Sequence, residues 1–348
     1  MKKKLLGMSL QQLQEAVLTL GLPRFTASQI VDWLYRKRVD SIEKMTNLSK
    51  AAREKLLEKY EIGWIMPSES MRSKDGTVKY LFPVSCPVGN NMESSSIEAV
   101  VIPDGERNTL CISSQAGCKM GCRFCMTGRG GWHGNLDAAQ ILTQIMAIPE
   151  GPLLTNVVFM GMGEPLDNYD TLCSVLDVMT SEWGFAWSPK RITVSTIGVL
   201  PKLKRLLDEQ HCHIAVSLHN PFPEERLSMM PVQGAYPAQE VIALLKQYDF
   251  TGQRRVSFEY TMFDGFNDDR RHADAIVRLL KGLECRVNLI RFHRIPDFPY
   301  GTTPDAKIEM FRQRLNSGGV TATTRASRGE DIFAACGLLA GKHGEKKN

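Results

Sequence analysis

The sequence has no apolar run approaching the ~18 residues that a membrane-spanning helix needs. Its start, Met1-Lys2-Lys3-Lys4-Leu5-Leu6, is basic but lacks the sustained apolar region and small-residue cleavage site of a secretory leader. A cytoplasmic protein with no membrane association is expected. No internal repeat or low-complexity tract stands out, which argues against repeat architectures. An even cysteine set is missing as well. Nine cysteines in 348 residues do not read as the disulfide framework of a small secreted scaffold, so metal binding or redox chemistry is the better use for them. Strong charge is also absent. A net charge of +5 and a pI of about 8.7 are compatible with a nucleic-acid partner without requiring one.

What is present is ordinary globular material, 43% hydrophobic and 23% charged, long enough for one large domain and a smaller one. Residues 1–65 read as a helical accessory domain. Ser9 with Gln12 forms a capping box, Leu10, Leu13, Val17 and Leu20 share one face, and Gly21 stops the helix. Two more helices are expected over 26–38 and 48–60. Basic residues dot this segment (Arg24, Arg36, Lys37, Arg38, Lys50, Arg53, Lys55), as a solvated face or as an RNA-binding one. Residues 66–103 read as a β-hairpin linker, with strands at 76–84 and 95–103 and with Cys86, a surface or half-buried thiol, in the turn.

From 104 to 348 strands and helices alternate. Short apolar runs at 109–114, 156–163, 191–198, 213–219, 255–263 and 286–293 are separated by helical patterns at 137–148, 169–182, 238–249, 268–281 and 305–316. Six such units predict an α/β fold with a parallel sheet covered by helices. They are too few for a complete eight-fold barrel. In such folds functional residues gather at the carboxyl ends of strands. Polar punctuation falls at five of those ends: the cysteines after the first strand, Gly161-Met162-Gly163-Glu164, Ser195-Thr196, Ser217-Leu218-His219-Asn220, and Arg291-Phe292-His293.

The densest signal is "GCKMGCRFCMTG", residues 117–128, a C-x3-C-x2-C triplet of Cys118, Cys122 and Cys125. A closed zinc site is four-coordinate and would need another ligand, for which His133 is the nearest candidate. A cubane 4Fe–4S cluster held by three cysteines instead leaves one iron open. Gly117 and Gly121 would let the backbone wrap closely around it.

The triplet, placed after the first strand of a β/α unit, resembles the signature of the radical S-adenosylmethionine (SAM) superfamily, and "GMGEP" (161–165) is similar to its glycine-rich stretch. With "FMGMGEPLDN", "SPKRITVSTIG", "VSLHNP" and "RASRGEDIFAACG", nearly the whole chain resembles the RlmN/Cfr family of RNA adenosine methyltransferases. That resemblance implies a partial (β/α)6 radical SAM barrel, a 4Fe–4S cluster on Cys118, Cys122 and Cys125, and two SAM molecules consumed per methylation. It implies that Cys336 becomes S-methylated, that Cys111 resolves the enzyme–RNA adduct through a disulfide with Cys336, and that Glu98 accepts the ring proton. Gly163, Glu164, Ser195, Ser217, Leu218 and His219 match SAM-contacting positions. His293 stands where many members carry asparagine, and Asn288 is the fallback.

Taken alone, Cys111 in an apolar strand, Cys336 in an Ala-rich helical stretch and Glu98 between apolar neighbours would pass for structural residues. The substrates implied are 23S rRNA and some tRNAs at adenosine 37, modified at C2, with a reducing electron donor such as flavodoxin and a monomeric enzyme. "FCMTG", "GEPLDN" and "SRGEDI" favour this branch over the C8 methyltransferases that confer antibiotic resistance. A zinc-dependent RNA-binding protein is the alternative from another class. A glycyl-radical activating enzyme shares the triplet but not the paired cysteines.

Overall fold

The computed structural model describes residues 2–252 and 254–340. The N-terminal helices form largely as their caps dictate. Helix α1 (Leu10–Thr19) has the reciprocal Ser9–Gln12 capping box, and it buries Leu13, Ala16 and Val17. Helix α2 (Thr26–Val31) continues into a wider π-helical stretch, Asp32–Arg36. Helix α3 (Lys50–Lys59) starts at Ser49, whose hydroxyl accepts the Ala52 N–H. Several of the basic side chains here have structural partners. Arg24 binds Gln14, Arg36 reaches the Glu182 carbonyl, Arg53 the Glu43 carbonyl and Lys55 the Leu20 carbonyl.

One open sheet then runs in chain order: β1 (Glu69–Arg72), β2 (Val78–Val88), β3 (Asn91–Asp104), β4 (Arg107–Cys111), β5 (Asn156–Phe159), β6 (Ile192–Thr196), β7 (His213–Ser217), β8 (Val256–Asp264), β9 (Arg286–Arg291) and β10 (Thr321–Arg325). Pairing is antiparallel from β1 to β4 and parallel from β4 to β10. The path does not close, since β1 and β10 are its two ends. The architecture is a partial parallel barrel. The hairpin β2–β3 extends the same sheet through β4.

Helices α4 (Ala138–Met146), α5 (Tyr169–Thr180), α6 (Leu200–Glu209), α7 (Ala238–Leu245), α8 (Arg270–Leu280) and α9 (Asp305–Ser317) intervene between the parallel strands. Buried Val157, Phe159, Val194, Val216, Phe258 and Leu289 supply the apolar core beneath them.

Three expectations need correction. Cys86 lies inside strand β2 and is fully buried; the turn of the hairpin falls at residues 89–90. Prolines made this stretch look like a loop, but β1 covers β2 only as far as Leu81. Pro83 and Pro87 therefore sit where the outer side of the strand lacks a partner, and proline costs nothing there. Strand β10 and helix α6 were absent from the periodic pattern. In β10, Thr-Ala-Thr-Thr-Arg, only Ala322 is buried, so no apolar run marks it. Cys336, finally, is not helical: after a short turn at Glu330–Ile332 the segment is irregular.

Candidate active site

The cysteine loop is shaped by glycines. Gly117 and Gly121 have φ of +73° and +63°, and a Cβ on Gly117 would lie 2.0 Å from the Gly131 carbonyl oxygen. Cys118, Cys122 and Cys125 all line one pocket at the carboxyl edge of the sheet, with about 1030 Å³ of empty space, open mouth included. Burial pushes the Cys118 thiol up to about 12, and Glu164 and Cys125 add to the effect. Cys122 is raised by burial and then by Cys125 and Cys118. Three thiolates crowded in a half-buried loop repel one another, so the donor set suits a cationic group that spans them. Among the described residues no three His, Cys, Asp or Glu side chains are grouped for a single metal ion. His133 is engaged elsewhere, with Glu93 and the Gly130 carbonyl. A closed zinc site, with every ligand ~2–2.3 Å from one ion, is disfavoured. A polynuclear iron–sulfur cluster, which distributes its thiolates over several irons, fits.

The next strand end supplies a buried carboxylate. Gly161 and Gly163 pack so tightly that a Cβ would meet the Ile112 carbonyl at 2.6 Å and the Gln115 side chain at 2.5 Å; Gly163 also has φ +98°. Glu164 follows and lines the pocket. Its carboxylate accepts from Thr196 Oγ1 (2.7 Å), the Ile197 amide (2.9 Å) and the Leu166 amide (3.0 Å). Burial pushes its pKa up to about 7 against the pull of those three donors. Ser195 and Ser217, from β6 and β7, also line the cavity.

His219 lines it too, held in a left-handed conformation, φ +55°. Its Nδ1 accepts the Thr261 N–H at 3.0 Å. Burial, followed by the nearby Arg226, brings its pKa down to about 3, so it is a neutral imidazole at physiological pH. Arg226 itself is 1% exposed, donates to the Ser217 and Leu218 carbonyls and to Gln233, and lies close enough to Cys122 to interact with it. Sequence reasoning missed it, along with the pocket residues Glu259 and Thr261. A charged residue on a short helix gives no sign that it will be buried.

The C-terminal segment closes the pocket. Cys336 and Gly337 line it beside Arg325. Cys336 is exposed to solvent by way of the pocket, yet surrounding protein still raises its thiol pKa, with Arg325 opposing. Cys111 is buried at the end of β4. Its thiol is pushed up to about 12 by burial and then by Cys336, so the two cysteines, about 225 positions apart, lie within electrostatic reach. Both are free thiols, as are the other seven.

Besides Cys111, four candidates lie off the lining. Leu218, between Ser217 and His219, is fully buried in the core. His293 contacts Ser327 (3.1 Å) and Glu330 (3.4 Å) on the C-terminal segment. Glu98 is buried in β3, 1% exposed, and pairs with Lys79 at 3.0 Å. Asn288 donates to Glu259 Oε1 at 2.7 Å, one residue back from the cavity.

Cysteines that stop at three, in the first loop of an open parallel sheet, put the fold in the radical SAM class. Residues 112–276 match the Radical SAM superfamily, and residues 3–62 match the ribosomal RNA large subunit methyltransferase N-terminal domain. The probable dual-specificity RNA methyltransferase RlmN of Parabacteroides distasonis is 56% identical, over 97% of each chain. That of Bacteroides thetaiotaomicron is 52% identical, over 100% of this chain and 99% of the other. The crystal structure of a radical SAM methyltransferase from Sphaerobacter thermophilus superposes with a TM-score of 0.90 at 38% identity, covering 98% of this chain and 100% of that one. The chain belongs to the RlmN family of radical SAM methyltransferases.

Proposed function

We propose that the chain methylates C2 of one adenosine in 23S rRNA and of adenosine 37 in some tRNAs. The relatives' name, dual-specificity RNA methyltransferase, supports RNA substrates of two kinds. The observation that carries the reading is that Cys336 lines the pocket that the cysteine triplet lines, with Cys111 within electrostatic reach of it. Neither cluster binding nor packing needs that pair.

A 4Fe–4S cluster on Cys118, Cys122 and Cys125, with SAM on its open iron, would supply a 5′-deoxyadenosyl radical. Glu164, fixed by three donors, is the group to hold the SAM amino group, with Ser195, Ser217 and the neutral His219 around the rest of the molecule. Carbon 2 of adenine is electron-poor, so polar attack on the SAM methyl group is unfavourable there. Cys336 serves as the methyl carrier, bringing the carbon to the ring as a thioether. Glu98 accepts the C2 proton. The Cys111 sulfur then attacks the Cys336 sulfur and the carbon–sulfur bond breaks. The former methyl carbon takes up the proton that the Cys111 thiol gives up, becoming the 2-methyl group, and a Cys111–Cys336 disulfide forms, which cellular thiols reset. The target base must leave its stack to enter. The accompanying reading is a cytoplasmic monomer served by a reducing donor such as flavodoxin; no helix among the described residues is long and apolar enough to cross a membrane.

Mass spectrometry of rRNA and tRNA from cells with and without the gene tests this. Loss of 2-methyladenosine on deletion and its return on complementation is expected. An unchanged 2-methyladenosine content, or a change in 8-methyladenosine instead, overturns it.

A further inference from the structure

The hairpin β2–β3 carries a buried ion pair that the proposed chemistry leaves half used. Lys79 faces Val100 and Leu81 faces Glu98 in register, so Lys79 and Glu98 are diagonal neighbours on one face. Lys79 Nζ lies 3.0 Å from Glu98 Oε1, with the side chains 7% and 2% exposed. Removing two charges from water costs more than their attraction returns unless further hydrogen bonds complete them. Here both completing bonds go to one segment. Glu98 Oε2 accepts the Ala340 N–H at 3.0 Å, and Lys79 Nζ lies 3.5 Å from the Phe333 carbonyl oxygen. Cys336 lies between those two anchor points.

Phe333, at the upstream anchor, ends the short turn Glu330–Ile332. Its φ is +53°, a conformation an aromatic residue keeps only where the surroundings impose it. Its side chain is not what imposes it, because Phe333 is 51% exposed. The local turn holds it, with Phe333 N–H on the Glu330 carbonyl and Ala334 N–H on the Gly329 carbonyl, which presents the Phe333 carbonyl oxygen to Lys79.

We infer that Lys79 is a positioning residue for Cys336. Paired with Glu98, it clamps residues 333–340 from both sides of the cysteine and holds the thiol at the pocket rather than in open solvent. The buried pair thus serves placement rather than stability. Its importance for methylation rests on the proposed role of Cys336 as methyl carrier.

The test is alkylation of the reduced, anaerobically purified full-length chain with iodoacetamide, read cysteine by cysteine by peptide mass spectrometry. Lys79→Met removes a charge-assisted contact, so Cys336 should react roughly tenfold faster. Cys212 and Cys285 should keep their parental rates, and Lys79→Arg should stay near the parent. Should Lys79→Met fail to fold with Glu98 left unpaired, the double variant Lys79→Met/Glu98→Leu removes both charges and retains a packed hairpin; Cys336 should again react faster. An unchanged Cys336 rate in a folded variant overturns the positioning role. So does an equal rise at Cys212 and Cys285, which would mean general loosening. The functional reading fails separately, if Cys336→Ala still methylates RNA, and that result leaves the alkylation outcome untouched.

Discussion

The cysteine loop, 117–128, and the C-terminal segment, 326–340, face each other across the pocket and are built in opposite ways. The loop is local around its donors. These fall within eight positions, with Cys118 N–H bonded to the Gly131 carbonyl and Cys125 N–H to that of Cys122. Beyond them Arg123 N–H reaches the Met229 carbonyl, and Met126 N–H and Thr127 Oγ1 reach the segment itself at Gly337 and Leu339. The segment is almost wholly non-local. Asp331 takes the Ser73 hydroxyl at 2.5 Å, Asp75 the Gly329 N–H at 2.9 Å, Glu98 the Ala340 N–H, and Thr127 donates to the Leu339 carbonyl at 2.6 Å. A loop of the first kind keeps its shape as long as its turns do. A segment of the second kind has a shape only in the assembled molecule. Cluster binding and methyl transfer should therefore be separable.

The largest effect tests that separation directly. Cys336→Ala should lower methylation by on the order of 10³-fold or more while iron and sulfide content stay at the parental level. Cys118→Ala should lose both. Iron lost in the first variant would mean that the two regions fold as one. Cys111→Ala should trap RNA covalently on the chain, visible as a shifted band that survives denaturation.

A smaller effect is expected within the local half. Gly163→Ala forces a Cβ to within 2.5 Å of Gln115 at a positive φ. Such overpacking costs roughly 1–3 kcal/mol, so SAM affinity measured by calorimetry on the reconstituted enzyme should fall about tenfold or more with the cluster retained. Thr127→Val removes one anchor of the segment, worth about 1 kcal/mol. Hydrogen exchange should quicken several-fold over 334–340 and stay unchanged over 117–122; equal quickening in both would erase the contrast. The smallest effect is a control remote from both regions. Ser9→Ala breaks the α1 capping box at about 1 kcal/mol, lowering Tm by about 1–2 degrees with methylation unaffected.

The same division decides what could be read in advance. The triplet, the glycine-rich turn and the pocket-lining Glu164, Ser195, Ser217 and His219 follow from strand ends and short spacings. Alternation explains two residues that do not line the cavity. Ser217 and His219 face the pocket, so Leu218 between them turns to the core. Ile290 and Phe292 line it, so His293 points instead to Ser327 and Glu330. What could not be read depends on contacts distant in sequence. Glu98 would pass for a structural strand residue because nothing near it announces Lys79 or Ala340. Strand β10 is polar because it is an edge. Arg226 is buried only because the ends of β7 offer it two carbonyls.

The distance between the two halves of the site also sets an order of events during synthesis. Cys125 and Cys336 are 211 positions apart (336 − 125), which at ~10 residues per second is about 20 s of translation. The hairpin that carries Lys79 and Glu98, and the loop that carries the cluster donors, emerge long before the segment they will grip. A chain interrupted in that interval displays its three thiols with no methyl carrier opposite them. Cys336 and Gly337, which complete the pocket, leave the ribosome long after the residues that face them.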